Sequence, residues 1–232
     1  MCGRYSLIIQ AEEWTTVFQP LLPSISLPET LPANTLEPRY NIAPTQTVPV
    51  LKSQEGTVHI DGLRWGLIPF WADDLSIGNR MINARSETAH EKASFKHAFK
   101  KRRCLIPTTG YYEWRKEENI KQPYWIHSAN DQKPILTMAG LWEVNRKVGD
   151  QPVLTCTILT TDANQTTADV HHRMPVFLDE SDHQDWIDSE NQSVDSLRDL
   201  LRPAEDSLLK LRAVSRYVSN ARHEGPKCLA SQ

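Results

Sequence analysis

The sequence predicts an α+β domain: a β-rich, twisted, partly closed sheet core flanked by short helices. Three observations point there. The stretches 48–51, 57–65, 103–107, 110–115, 123–128, 135–142, 153–161, 175–178 and 208–214 are short, favour β structure and are separated by turn-forming residues. Helical spacing of apolar residues is confined to brief runs, which implies short helices around a sheet. Finally, 232 residues at 39 % hydrophobic content can bury one sizeable core. A single domain over residues 1–232 is the simplest division, since neither repeats nor low-complexity tracts interrupt the chain.

Taken in order, Trp14, Val17 and Phe18 stand at i, i+3 and i+4, predicting an early helix. Residues 20–40 carry five prolines and read as an extended irregular segment. After the strands at 48–51 and 57–65, Gly66 and Pro69 break the chain into a loop bearing Phe70 and Trp71. A short extended piece around Asn83 leads into a helix. A second helix begins near Ser94, a candidate cap, with Phe95, Ala98 and Phe99 as its apolar stripe. The central strands follow, then a short helix at 162–169 and helices at 181–187 and 194–201. Ser193 is placed to cap the last of these and Pro203 to end it.

Composition removes several function classes. No apolar run reaches membrane-spanning length, and the N-terminus lacks a secretory pattern. Cys2, Cys104, Cys156 and Cys228 lie far apart without a C-x-x-C pair, which argues against structural zinc and a disulfide framework and fits a reducing, cytoplasmic setting. A net charge of −3 excludes a globally basic nucleic-acid binder but leaves room for a local basic groove. There is no Gly-rich phosphate loop, G-x-S-x-G, dinucleotide fingerprint or H-E-x-x-H, so neither a cofactor nor a metal is expected.

What remains is a set of reactive side chains. Removal of Met1 would leave Cys2 with a free α-amine beside its thiol. Such an aminothiol captures an aldehyde twice, through an imine and then a thiazolidine ring. Read alone, Cys2 is simply a small residue behind an initiator. Arg4 suits a bidentate phosphate grip or a surface ion pair. Asn83 and Arg85 alternate in an extended piece and so share a side, fit for an orienting hydrogen bond and a phosphate contact; alternatively Asn83 satisfies a turn and Arg85 pairs with Glu87. In 110–114, Glu113 faces opposite to Tyr112 and Trp114, toward a site or toward solvent. His171 and His172 suit acid–base work or are loop histidines. The run 96–103, with five Lys/Arg, is a solvated helix end or a phosphate track, and Phe70 and Trp71 are base-stacking candidates or loop anchors.

The ordered set Met1-Cys2-Gly3-Arg4, Tyr40-Asn41-Ile42-Ala43-Pro44, Arg64-Trp65-Gly66-Leu67-Ile68-Pro69, Ile82-Asn83-Ala84-Arg85-Ser86-Glu87, Arg103-Cys104-Leu105-Ile106-Pro107, Gly110-Tyr111-Tyr112-Glu113-Trp114 and His171-His172-Arg173-Met174-Pro175 resembles the SOS response-associated peptidase (SRAP) family of abasic site processing proteins. The resemblance runs to about residue 220. It implies a single α+β domain with a positively charged groove. It also implies binding to single-stranded DNA at abasic sites, and a thiazolidine crosslink from Cys2 to the ring-opened sugar aldehyde that shields the lesion. On this likeness Cys2 is the nucleophile, Asn83 positions it, Glu113 shuttles protons, and His171 is a general acid–base able to promote β-elimination. Arg4, Arg85 and Thr160 contact phosphates, while Trp71, with Pro44 nearby, wedges where the strand bends. Loss of Met1 by self-cleavage or by an aminopeptidase, a monomeric state and a cytoplasmic or nuclear location are further implications. The family pattern has Asp after the histidine, where this chain has His172. Two rival readings stand beside it: a thiol peptidase or amidohydrolase built on Cys2, His171 and Glu113, and a non-catalytic binder of single-stranded DNA built on the basic run 96–103 and the loop aromatics Phe70 and Trp71.

Overall fold

Strands dominate because short runs that favour β structure, separated by turn-forming residues, fill the middle of the chain. In the computed structural model, which describes residues 2–19, 25–26, 31–32, 35–54, 56–118 and 120–231, the elements are β1 (Tyr5–Leu7), α1 (Trp14–Phe18), β2 (Ile25–Ser26), β3 (Arg39–Ile42), β4 (Thr47–Gln54), β5 (Thr57–Trp65), β6 (Asn83–Arg85), α2 (Lys96–Lys101), β7 (Arg103–Thr108), β8 (Gly110–Glu117), β9 (Ile120–Ser128), β10 (Leu136–Asn145), β11 (Val153–Asp162), α3 (Gln165–Ala168), β12 (Arg173–Pro175), α4 (His183–Ile187), α5 (Val194–Asp199) and β13 (Leu209–Ala213). The architecture is mixed α+β, mostly strand, as expected.

Five strands close on themselves. The order β5-β4-β7-β10-β11 is antiparallel throughout, and β11 returns to β5 in parallel register through Thr155↔Arg64 and Cys156↔Trp65. Closure removes the exposed edges that an open sheet would present. Beyond the point where β5 leaves it, β11 pairs in parallel with β6, through Ile158↔Asn83 and Thr160↔Arg85. On its other edge β12 follows β10, through Thr160↔Pro175. A second sheet runs β13-β9-β8-β1-β3. One apolar core joins the two: Tyr5, Leu7, Tyr111 and Ile126 of the second sheet pack with Trp65, Leu105, Met138 and Ile158 of the closed one. Tyr5 meets Trp65 edge-on, with ring centroids 5.4 Å apart. A smaller cluster of Tyr112, Val214, Val218 and Cys228 covers the far face.

Several sequence expectations are corrected here. β1 and β3 carry too few residues to show alternation, yet both pair in the second sheet. After β6 the chain makes successive turns through 86–95 instead of a helix, held by Ala89 N–H to Arg85 O and Lys96 N–H to Lys92 O. α2 starts after Phe95, and Ser94 does not cap it. Ser193 does cap α5, accepting from Ser196 N–H, but that helix ends at Asp199, ahead of Pro203. The proline-rich stretch lies partly outside the described residues; within it, β2 and β3 are strands.

Candidate functional site

The backbone of β1 begins the site. Tyr5 pairs with Tyr111 in β8, and just upstream the Tyr112 N–H donates to Arg4 O at 2.9 Å. Strand pairing therefore lays the N-terminal residues along Tyr112 and Glu113. Parity then sorts β8: Tyr112 faces the small cluster, while Tyr111 and Glu113 turn the other way, toward Cys2. Glu113 is 5 % exposed, so of its two sequence readings the solvent-facing one is excluded.

Cys2 is 1 % exposed and belongs to the main core. Burial pushes its thiol well above the ordinary range, and the negative charge of Glu113 adds to the push. The thiol is thus held protonated. β6, docked in parallel on β11, delivers Asn83 from the other side, and its Nδ2 donates to the Cys2 carbonyl at 2.7 Å. The Asn83 Oδ1 is buried without a hydrogen-bond partner among the described residues, an acceptor available to an incoming group.

His171 arrives from the turn between α3 and β12. The Arg173 N–H lies 2.9 Å from its Nδ1 and the Arg173 carbonyl 3.2 Å from the same atom, so the Arg173 backbone orients the ring. Burial lowers its pKa, and the charge of Glu113 opposes that shift. Glu113 accordingly acts electrostatically on both the thiol and the imidazole. The neighbouring ring of exposed His172 stacks on His171, with centroids 4.4 Å apart. The turn is braced by buried Arg173, which grips Glu87 with two hydrogen bonds (2.8 and 2.9 Å), Asp162 (2.7 Å) and the Thr160 carbonyl (2.6 Å). Arg173 carried no assigned role in the sequence, although it stands in the 171–175 motif.

The four predicted catalytic residues therefore converge, from β1's leading edge, β6, β8 and the loop before β12. The predicted DNA contacts fare differently. Arg85 is exposed and makes no ion pair among the described residues, because Glu87 is taken by Arg173. Trp71 is 43 % exposed and Phe70 48 %, in a loop that Gly66 starts. At Gly66 φ is +122° and a Cβ would stand 2.5 Å from the Gly78 carbonyl, so only glycine turns the chain out of the barrel there. Pro44 lies half-buried in the turn between β3 and β4. Arg4 is half-buried rather than surface-paired: its Nη1 donates to Asn41 Oδ1 (2.8 Å) and Val218 O (3.0 Å).

Thr160 is 0 % exposed between β6 and β12, with its hydroxyl on Ala84 O at 3.5 Å. The basic run is divided. Arg103 is buried and donates to the carbonyls of Trp186, Phe99, Lys100, Asp188 and Asn191, while Arg102 pairs with buried Glu143.

Among the described residues no group of three or more His, Cys, Asp or Glu side chains is placed to hold a metal ion, and no helix is long and apolar enough to cross a membrane. A cavity of about 1360 Å³, lined by Trp125, His127 and Phe177 among others, includes none of Cys2, Asn83, Glu113 or His171.

Comparison with known proteins gives a consistent picture. The profile of the SOS response associated peptidase (SRAP) family matches residues 1–221. The chain is similar to the abasic site processing protein YoqW of Bacillus subtilis, at 34 % identity covering 100 % of both chains. It is also similar to the abasic site processing protein HMCES of Gallus gallus, at 33 % identity covering 87 % of this chain and 68 % of the relative. Among solved structures, a protein from Bacteroides thetaiotaomicron superposes with a TM-score of 0.83 at 24 % identity over 100 % of both chains. A phage-related protein from Bordetella bronchiseptica superposes with a TM-score of 0.69 at 26 % identity, over 92 % of this chain and 94 % of that one.

Proposed function

The chain belongs to the SOS response associated peptidase family, and on that premise we propose that it processes abasic sites by forming a covalent crosslink from Cys2 to single-stranded DNA. The observation that carries this reading is the meeting of four groups: Cys2, the Asn83 amide 2.7 Å from its carbonyl, and Glu113 acting on both the thiol and His171. Relatives bearing the name abasic site processing protein support the same substrate.

The chemistry requires Met1, which lies outside the described residues, to have been removed. The freed Cys2 amine attacks the aldehyde carbon of the ring-opened sugar, forming a C–N bond. The carbonyl oxygen leaves as water, and Glu113 supplies and reclaims the protons of that dehydration. The thiol sulfur then adds to the imine carbon, its proton passing to nitrogen, and the five-membered ring is complete. A protonated thiol suits this order, because the amine must react first. Asn83 holds the Cys2 backbone so that amine and thiol present to one carbon. His171, oriented by the Arg173 backbone, acts as acid–base toward the sugar oxygens; β-elimination from the imine is the competing outcome. Arg85 and Trp71 are the exposed cation and aromatic that face DNA, one to a phosphate and the other to a base.

The test is an oligonucleotide with one abasic site, incubated with the Met1-free protein and run on a denaturing gel. A slow-migrating band that disappears with Cys2→Ala is expected. No band, or a band that survives the substitution, rejects the reading.

A further inference from the structure

The N-terminal segment is gripped a second time, on the face of the second sheet opposite the main core. Tyr5 and Ile42 pair across β1 and β3 and both face that core. Arg4 and Asn41 stand one residue out of phase with them, so their side chains point to the far face. There the Arg4 guanidinium lies 5.7 Å over the ring of Trp114. Its Nη1 donates to Asn41 Oδ1 at 2.8 Å and to Val218 O at 3.0 Å. Asn41 in turn directs its Nδ2 at the segment 218–223, donating to the carbonyls of Val218 (3.2 Å), Asn220 (3.0 Å) and His223 (2.8 Å). One buried amide thus joins three segments distant in sequence. At 1 % exposure, Asn41 is closed to any strand of DNA.

The grip matters because of where it falls. Once Met1 is gone, Cys2 has no chain upstream, and only downstream contacts can set its place. The Tyr112 N–H holds Arg4 O at 2.9 Å, and Asn83 holds the Cys2 carbonyl at 2.7 Å. Two points of attachment leave the segment free to turn about the line between them. The Arg4 guanidinium, two residues from Cys2 and fastened on the opposite face, is a third point that stops this rotation.

We propose that Asn41 is a positioning residue for the reaction at Cys2. By holding Arg4 against the segment 218–223, it fixes the orientation in which the terminal amine and thiol meet Glu113. The inference rests on the function proposed above and names a residue on which its rate depends.

Two substitutions separate this role from a structural one. Asn41→Asp keeps an acceptor for Arg4 but has no N–H for the three carbonyls, whereas Asn41→Ala loses both. Both should lower the thermal midpoint, because buried carbonyls lose their partner. Single-turnover crosslinking to an abasic strand is followed against protein concentration. Asn41→Ala should lower the maximal rate by about 10²-fold, the cost of a misplacement of about an ångström, and leave the half-saturating concentration unchanged. Asn41→Asp should stay near the parental rate. Equal losses in the two variants would mark a structural role and overturn the proposal, as would a parental rate in Asn41→Ala. Where Asn41→Ala does not fold, Arg4→Gln decides. A lower maximal rate is expected; an unchanged one, or a shift confined to the half-saturating concentration, overturns the proposal. Alkylation of the Cys2 thiol in the native protein gives a measure that needs no crosslink. It should quicken severalfold in Asn41→Ala and not in Asn41→Asp, with buried Cys104 as the monitor of general opening. If the parent forms no crosslink, the proposed function fails on its own. Thiol alkylation still decides the role of Asn41, and equal rates in the two variants overturn it.

Discussion

The Asn83 side chain donates to the main-chain carbonyl of Cys2 at 2.7 Å, and so ties the N-terminus to a strand 81 residues away in sequence. Asn83→Ala removes that donor without opening the core, because Asn83 is half-buried at the end of the barrel. Loss of alignment by about an ångström costs on the order of 10²-fold in rate. Single-turnover crosslinking should slow by about that factor while the thermal midpoint stays near the parent's. A parental rate in Asn83→Ala would remove Asn83 from the positioning role.

Glu113→Gln separates burial from charge. The Cys2 thiol is raised first by burial and second by Glu113, so neutralising the carboxylate should bring it down only partway. His171 is lowered by burial, and Glu113 counteracts this, so its titration should move to still lower pH. The two shifts have the same sign and one origin. Alkylation of the thiol against pH and NMR titration of the imidazole read them separately. A His171 titration that does not move would disconnect the two groups.

Arg103 looked like part of a nucleic-acid track in the sequence, but its guanidinium serves five carbonyls. Arg103→Lys keeps the charge and offers only three donors in another geometry. At least two carbonyls then lose a partner inside the protein, and destabilisation of roughly 2–4 kcal/mol is expected. Denaturant unfolding measures it. The salt dependence of DNA binding should be unaltered, which a phosphate contact would not allow.

Acid sensitivity should trace in part to His127. Burial, then Lys210 and Arg212, lower its pKa to about 4, from 6.5 in the unfolded chain. A histidine with a depressed native pKa binds more protons when unfolded, so its share of stability is present above about pH 6.5 and is lost as pH falls toward 4. Below that it no longer changes. Thermal midpoints recorded from pH 7 to 4 should fall, and His127→Gln should flatten the slope in that window. An identical slope in the variant would assign the effect elsewhere.

Much of this protein was legible in residue order. The strand positions β4, β5 and β7 to β11 emerge within a few residues of their bounds, because β-favouring runs bounded by turn-forming residues are a local signal. Short strands such as β1 and β3 left no such trace, and the turns after β6 mimic a helix start. The candidate site was legible too: Cys2, Asn83, Glu113 and His171 stand in short motifs, and the fold brings them together. The surroundings of the candidate DNA contacts were less so, since Thr160 and Arg103 look accessible in sequence but are buried.

Residue order by itself determined the α+β class, the placement of most strands and the identity of the groups able to react, since each depends on covalent type and near neighbours. Tertiary structure alone decided that β11 closes the barrel onto β5 and then receives β6, which seats Asn83 against Cys2, turns Glu113 inward and walls in Thr160. The physical reason is that strand pairing across many residues is chosen by the shared core. A side chain's surroundings are therefore a property of the packed whole, which no local pattern records.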